Sequence, residues 1–306
     1  MAVIMPMLLM ALMLSLSVWG KPVMEVNDVM DHLKFTVYTR VNQDKGHVVP
    51  YNSTGELKAS NFDPKKQTTI VVHGWMGNPF IYTWVGHAKD ALLRMSEQNV
   101  IIVDWGHYAM DPDAVLAAKY ARKTGTALGE YVKFLENAVK ADRRNMQLAG
   151  HSMGGQVISF AAKQLTNPKL PKLFGLDTAE GEFNCSDTAD CLNPTDADFV
   201  AEIHTMVSRT DKGHIDFWPL HPHVNPLNYI GEHLKGAGYW VESIASNCTF
   251  EAYACPDKDS FKHDKCSTTC TKNNCNHMGL RASNPNIPHR VRYFLNVNDH
   301  APYCKK

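Results

Sequence analysis

The sequence carries no surplus of charge. Its 31 basic residues are balanced by 31 acidic ones across 306 positions, so charge suggests neither nucleic acid nor an anionic membrane as a partner. It has no internal repeat and no low-complexity tract, which sets aside repeat arrays. After residue 20 it also lacks any apolar run of the roughly 20 residues that a spanning helix needs, so no transmembrane anchor is expected. Cysteine is missing from the first 184 positions, which confines any cross-linking to the second part of the chain.

What is present points to an exported protein. Residues 1–20, MAVIMPMLLMALMLSLSVWG, are apolar and uncharged, with Val18 and Gly20 as small residues near a cleavage point. They read as a signal peptide, leaving residues 21–306 as one catalytic domain that begins near Lys21. The run is too short for an anchor, and Pro6 interrupts it. The eight cysteines fit an oxidising compartment and a disulfide framework. Cys266, Cys270, Cys275 and His277 have a superficial look of a zinc cluster, but an even cysteine count behind a leader favours disulfides. Asn52, Asn184 and Asn247 each head a glycosylation sequon. With 44% hydrophobic residues, the chain can bury one large core.

Thr68 to Val72 (TTIVV) and Asn99 to Asp104 (NVIIVD) are short β-branched runs closed by turn residues, the pattern of buried parallel strands. Met146 to Gly150 and Leu173 to Leu176 read the same way. Leu128, Tyr131, Val132, Leu135 and Val139 fall at helical spacing and form one apolar stripe. Trp84 to Met95 and Gln156 to Leu165 read as further helices. Strands alternating with helices predict an α/β fold with a mostly parallel sheet, whose chemistry sits at the carboxyl ends of the strands. Beyond residue 240 the chain becomes loop-rich, then closes on Arg290 to Val297, which alternates like a late strand.

The stretch Gly150-His151-Ser152-Met153-Gly154 is G-x-S-x-G, placed where a strand ends and a helix begins. Such a turn strains its middle residue and brings backbone close on both sides, which is why glycines flank it. It would hold Ser152 above the sheet as a nucleophile, with the Met153 amide facing a developing oxyanion. A serine needs a base, and the base an orienting carboxylate. Asp177 closes the next strand and would emerge on the same edge, whereas Asp104 precedes the serine and breaks the Ser, acid, His order. Among the later histidines, His204 reads as a buried structural residue inside a strand, Phe199 to Val207. His214 is a candidate, and His233, in a loop before Tyr239, best suits a general base. Spacing alone does not decide between them.

These residues together resemble the pancreatic lipase family, from about Val29 to the C-terminus. Val71-Val72-His73-Gly74-Trp75, Val103-Asp104-Trp105, GHSMGG at Gly150 to Gly155, Gly175-Leu176-Asp177, Ile203-His204-Thr205, Gly213 to Phe217 and Glu232-His233-Leu234-Lys235 carry the likeness. The resemblance implies an α/β-hydrolase fold and a triad of Ser152, Asp177 and His233. It also implies an oxyanion hole from the amides of Trp75 and Met153. Two departures stand out: Thr178 replaces the proline usual after the acid, and Ile230-Gly231-Glu232 replaces the usual environment before the histidine. The family's yolk-protein relatives lose the nucleophile, so a complete triad argues against a pure storage role. The resemblance further implies disulfides Cys185–Cys191, Cys248–Cys304, Cys255–Cys266 and Cys270–Cys275. The family's calcium loop corresponds to Thr188 through Asp196, where Asn193 and Asp196 remain but other ligands are altered. No metal and no other cofactor is expected.

In this family, triacylglycerol lipases cover the site with a long lid and a long preceding loop. Here Met206 to Lys212 and Leu220 to Glu232 are both short, which resembles the phospholipase A1 members and the insect-type neutral lipases. The expected function is therefore secreted lipid-ester hydrolysis through an acyl-enzyme, of phospholipase A1 type. A neutral triacylglycerol lipase of broad specificity is the alternative, and a lipid carrier or defence protein with weak activity is a second one. Met76, Phe80, Trp218, Leu220 and Leu227, together with Trp75, are expected to form an apolar rim that meets a membrane, micelle or droplet surface. The chain ends where the family's C-terminal β-sandwich would start, so no colipase partner is expected.

Overall fold

The computed structural model describes residues 25–223, 225–271, 274–284 and 290–305; the expected signal peptide and the expected new terminus at Lys21 lie outside them. The described strands are β1 (Lys34–Tyr38), β2 (His47–Val48), β3 (Thr68–Val72), β4 (Asn99–Asp104), β5 (Met146–His151) and β6 (Leu170–Leu176). They continue with β7 (Ala197–Ile203), β8 (Ile215–Leu220), β9 (Glu251–Ala254), β10 (Cys275–His277) and β11 (Val291–Asn296). All belong to one 11-stranded sheet in the order β10-β9-β11-β8-β7-β6-β5-β3-β4-β1-β2. From β4 across to β11 the neighbours are parallel. The outer strands at both ends pair antiparallel.

Why β3 and β4 form where the sequence places them follows from their composition. A strand buried on both faces has no solvent side to write into the sequence, so it appears as a continuous β-branched run. Ile70 and Val72 enter one core, while Val71 between them enters the other. Four long helices cover the two faces: α1 (Trp84–Met95), α2 (Ala114–Val139), α3 (Met153–Lys163) and α4 (Tyr229–Ala245). Tyr131 and Leu135 of α2 share the first core with Val157 and Ile158 of α3. Trp84 and Leu92 of α1 share the second with Tyr239 and Trp240 of α4. This is the α/β layered arrangement expected, a mostly parallel sheet between helices.

The predicted stripe in α2 is buried as far as Leu135, and the helix extends well upstream of it to the cap at Asp113, whose side chain accepts from Val115 and Leu116 amides. The second predicted helix starts three residues early, at Met153, because Ser152 itself serves as the N-cap residue. All four expected disulfides are present, with Cα separations of 4.8 to 6.2 Å; the zinc alternative is therefore ruled out, since those thiols are paired. Asn52, Asn184 and Asn247 are exposed. Among the described residues, no helix is long and apolar enough to cross a membrane.

Candidate active site

Because the central strands are parallel, their carboxyl ends share one edge of the sheet, and three of the strained backbone positions lie along it. Met76 after β3, Ser152 after β5 and Asp177 after β6 all have positive φ, at 54°, 57° and 50°. A non-glycine residue there costs of order 1–3 kcal/mol, and such positions cluster at functional sites. Ser152, at ψ −126°, is the sharp corner between strand and helix. The glycines around it are required by contact: a Cβ on Gly150 would drive into the Gly154 carbonyl, and one on Gly154 would lie 2.5 Å from the carbonyl oxygens of Val72 and His73. Gly74 would meet the Ser152 Cβ at 2.8 Å, which shows how closely the loop after β3 passes the serine.

Asp177 is fully buried, yet its carboxylate is saturated. Its Oδ1 accepts from the amides of Thr205, Met206 and Ser208 at 2.9, 3.0 and 3.1 Å, and its Oδ2 from Met206 and Val207 at 2.9 and 3.1 Å. His233 Nδ1 lies 2.6 Å from Oδ2. Burial acts to raise the carboxyl's pKa, but the histidine and these amides outweigh it and hold the group well below the usual carboxylate range. The short loop after β7 is thus a nest of N–H groups built around one anion.

The structure corrects the setting of His233. It stands in the second turn of α4, not in a loop, and α4 is capped by Asn228, whose side chain accepts from the Gly231 amide. One turn further on, Gly236 lets the helix approach so closely that a Cβ would sit 3.2 Å from that of Asp177. A second imidazole lies against the first: the His151 and His233 rings are tilted at 37° with centroids 4.3 Å apart, and His151 Nε2 lies 3.2 Å from the His233 carbonyl oxygen. That acceptor places the proton on Nε2. Burial, and then the charge of His233, push the His151 pKa down to about 3, so it stays neutral at physiological pH.

The other candidates separate cleanly. His204 is the buried structural histidine expected, though just past the end of β7: Nε2 is 2.8 Å from Asp216, Nδ1 is 3.0 Å from the Ser208 carbonyl, and the ring stacks on Trp218. His214 precedes β8, at the opposite edge of the sheet, where Nδ1 accepts from the Val200 amide. Asp104 lies beside His73 and accepts from the Gly106 amide; burial opposes its ionisation, but these partners keep its pKa low. It braces the loop after β3, helped by Trp105, whose indole donates to the His73 carbonyl.

Trp75 is half-buried, with its indole donating to the Asp111 carbonyl at 2.7 Å and its carbonyl accepting from Tyr82. Of the expected rim, Met76, Phe80 and Leu227 are exposed. Trp218 and Leu220 are a correction: both are half-buried against the small cluster of Cys255, Phe261 and Phe294, because β8 turns that face toward the β9 and β11 end of the sheet. The cover between β8 and α4 is short and tethered. His221 Nε2 lies 3.1 Å from Glu232, and His223 Nδ1 2.8 Å from Asp299.

The loop from Thr188 to Asp196, which corresponds to the family's calcium loop, does not suit that ion. Its oxygens already receive hydrogen-bond donors: Lys163 Nζ lies 2.7 Å from Asp196 Oδ1, 3.0 Å from the Cys191 carbonyl and 2.6 Å from Ser159 Oγ. Asn193 Nδ2 adds bonds to the Thr188 and Cys191 carbonyls and to Asp196. A hard cation needs oxygen ligands, and here an ammonium and an amide face that space.

Sequence reasoning missed His151, the 205–208 amide nest, Lys163 and the buried Glu202. Only Glu202 left a signal, as an acidic residue following the apolar run Phe199 to Ala201 within β7, where Asp198 is the exposed acid and Glu202 the buried one.

The family model described as Lipase matches residues 20–303. The lipoprotein lipase of Gallus gallus is 28% identical, over 92% of this chain and 64% of its own length. The human lipoprotein lipase is 26% identical, over 85% and 61%. The chain therefore spans a little under two thirds of the curated relatives it matches. Among solved structures, a hyperthermophilic esterase from Pyrobaculum calidifontis shares 15% identity over 57% of this chain and 58% of its own, a partial likeness with a TM-score of 0.29. The match over nearly the whole sequence establishes that the chain belongs to the Lipase family, that of pancreatic lipase.

Proposed function

We propose that this protein is a secreted lipid-ester hydrolase in which Ser152 attacks the ester carbonyl, His233 carries the proton and Asp177 holds the imidazolium. Ser152 Oγ forms the bond to the carbonyl carbon as its proton passes to His233 Nε2. The amides of Trp75 and Met153 take the developing oxyanion. The tetrahedral intermediate collapses, the alcohol leaves with the proton from His233, and water then releases the fatty acid by the same steps. The observation that carries this is the hydrogen bond of His233 to a saturated, ionised Asp177 beside a strained Ser152.

The preferred substrate is a phospholipid, cleaved at its first acyl position. The support is the shortness of both covers: the loop of residues 205–212 is held down by Asp177, which takes the amides of 205–208, and by Glu180, which takes those of 209 and 210, and only residues 221–228 separate β8 from α4. A polar headgroup needs a wet, open cleft more than a deep apolar one. Triacylglycerol hydrolysis is the second reading, favoured by the lipoprotein lipases among the relatives. The four disulfides support export. Triolein and a phosphatidylcholine with two distinguishable acyl chains, offered together, separate the two readings. Dominant release from the first position of the phospholipid is expected; dominant triolein hydrolysis would reject that preference. Ser152→Ala should abolish both activities while the melting temperature is retained.

A further inference from the structure

Behind the turn that carries Asp177 lies a second carboxylate, and it has no part in the chemistry proposed above. Glu202, near the end of β7, is fully buried. A buried carboxylate is tolerated only where its oxygens are satisfied. Both go to a single residue: Oε1 accepts from the Thr178 amide at 2.7 Å, and Oε2 from the Thr178 hydroxyl at 2.8 Å. Burial pushes the Glu202 pKa up, and the neighbouring positive charge of His204 and Lys212 opposes that rise only in part. Space for the pair is left by two glycines. A Cβ on Gly175 would fall on Glu202 Oε2, and one on Gly155 would fall on the Thr178 hydroxyl.

Thr178 is where the resemblance has proline. Proline offers no N–H and no hydroxyl, so the exchange creates two buried donors, and Glu202 accepts from both. The residues around Thr178 grip the nucleophile. The Ser152 amide donates to the Leu176 carbonyl at 3.1 Å, and the Ala179 amide donates to the Ser152 carbonyl at 3.1 Å. Between these two bonds sits Asp177 at φ 50°.

We infer that Glu202 is a positioning residue: by anchoring Thr178 it fixes residues 176–179, and so sets the approach of Asp177 and Ser152 to His233. The pair does through two hydrogen bonds what a rigid ring does where proline stands. The inference rests on the proposed roles of Ser152, Asp177 and His233. It also explains why losing one partner and losing both should differ. One partner alone leaves buried polar groups orphaned, whereas an apolar pair leaves none.

The test is a cycle of Glu202→Val, Thr178→Pro and the double variant, each assayed on p-nitrophenyl butyrate and for the rate of Ser152 labelling by a fluorophosphonate. Each single change should lower kcat roughly 10- to 100-fold with little change in KM, the loss that a small misplacement of reacting groups produces. Labelling should slow in parallel, and the acid limb of the kcat/KM profile should move. The double variant should recover to within about threefold of wild type, since it removes every orphaned group. A variant destabilised elsewhere, Lys163→Met, should leave the acid limb in place. Glu202→Val with near wild-type kcat, or a double variant no better than the poorer single, would overturn the inference. Should a single variant not fold, Thr178→Val decides: it keeps the amide and loses only the hydroxyl, and an unchanged kcat and acid limb would count against the pair. If the wild-type protein itself resists the phosphonate at Ser152, the reading of the site has failed, and not merely the role of Glu202.

Discussion

At the scale of single residues, the deepest dependence is on one anion. Asp177 titrates below the value of about 3.9 usual for an unfolded chain, because His233 and the amides of residues 205–208 outweigh the penalty of burial. A carboxyl with a depressed folded pKa contributes stability that is complete above its unfolded value and is lost as the pH falls through the folded one. Asp177→Asn should therefore melt below wild type at pH 7, and the gap should narrow as the pH drops below about 4; thermal unfolding across that range is the check, and a gap that widened in acid would refute it. Its kcat should fall by roughly 10⁴, as expected when the base is left in the wrong tautomer. Strand ends, flanking glycines and chain order each single out Ser152 and Asp177 in the sequence. His233 is singled out there by the family resemblance and not by spacing, since its place depends on α4 coming within reach of Asp177 at Gly236, and spacing along the chain holds no record of that approach.

At the scale of elements, the loop between Cys185 and Asp196 has taken a lysine from α3 into the space among its oxygens. Asp196 has only 1% of its side chain exposed and Lys163 has 19%. Removing one partner of such a pair costs about 3–5 kcal/mol when fully buried, and the residual exposure of Lys163 places Lys163→Met nearer about 2–4 kcal/mol. For a chain of this size that is a fall in melting temperature of roughly 3–7 °C. Wild type should melt at the same temperature in EDTA and in millimolar calcium; a calcium-dependent shift would show that the loop takes the metal after all. β3 and β4 were readable to the residue because burial on both faces writes an unbroken β-branched run. The start of α2 was not, because the face its first turns bury is made largely of alanines, Ala117, Ala118 and Ala121 beside Leu116 and Tyr120, and its first turn is fixed by the Asp113 cap.

At the scale of the whole molecule, two features of the protein beyond the sheet bear on the action at a lipid surface proposed above. The first is the anchoring of its end. Cys248–Cys304 closes a separation of 56 residues and Cys270–Cys275 one of only 5. Chain entropy assigns about 4 kcal/mol to the first and about 2 kcal/mol to the second, so the Cys248→Ser, Cys304→Ser double variant should melt lower than the Cys270→Ser, Cys275→Ser one. The second is the apolar rim. Phe80, 88% exposed, lies in the loop that leaves β3, and Leu227, 96% exposed, in the cover that follows β8. β3 and β8 belong to the same parallel set, so both loops leave the carboxyl edge that carries Ser152, with Ile81 and Ile230 exposed beside them. Burying one such side chain in lipid is worth roughly 1.5–3 kcal/mol, or on the order of 10- to 100-fold in partitioning. Phe80→Asp and Leu227→Asp should each weaken binding to phosphatidylcholine vesicles by about that factor, measured by sedimentation, while p-nitrophenyl butyrate is still hydrolysed at close to the wild-type rate. The dissociation of the two readouts is the point: a common loss would mean that these side chains support the site from within, and an unchanged vesicle affinity would mean that some other face of the molecule meets the lipid.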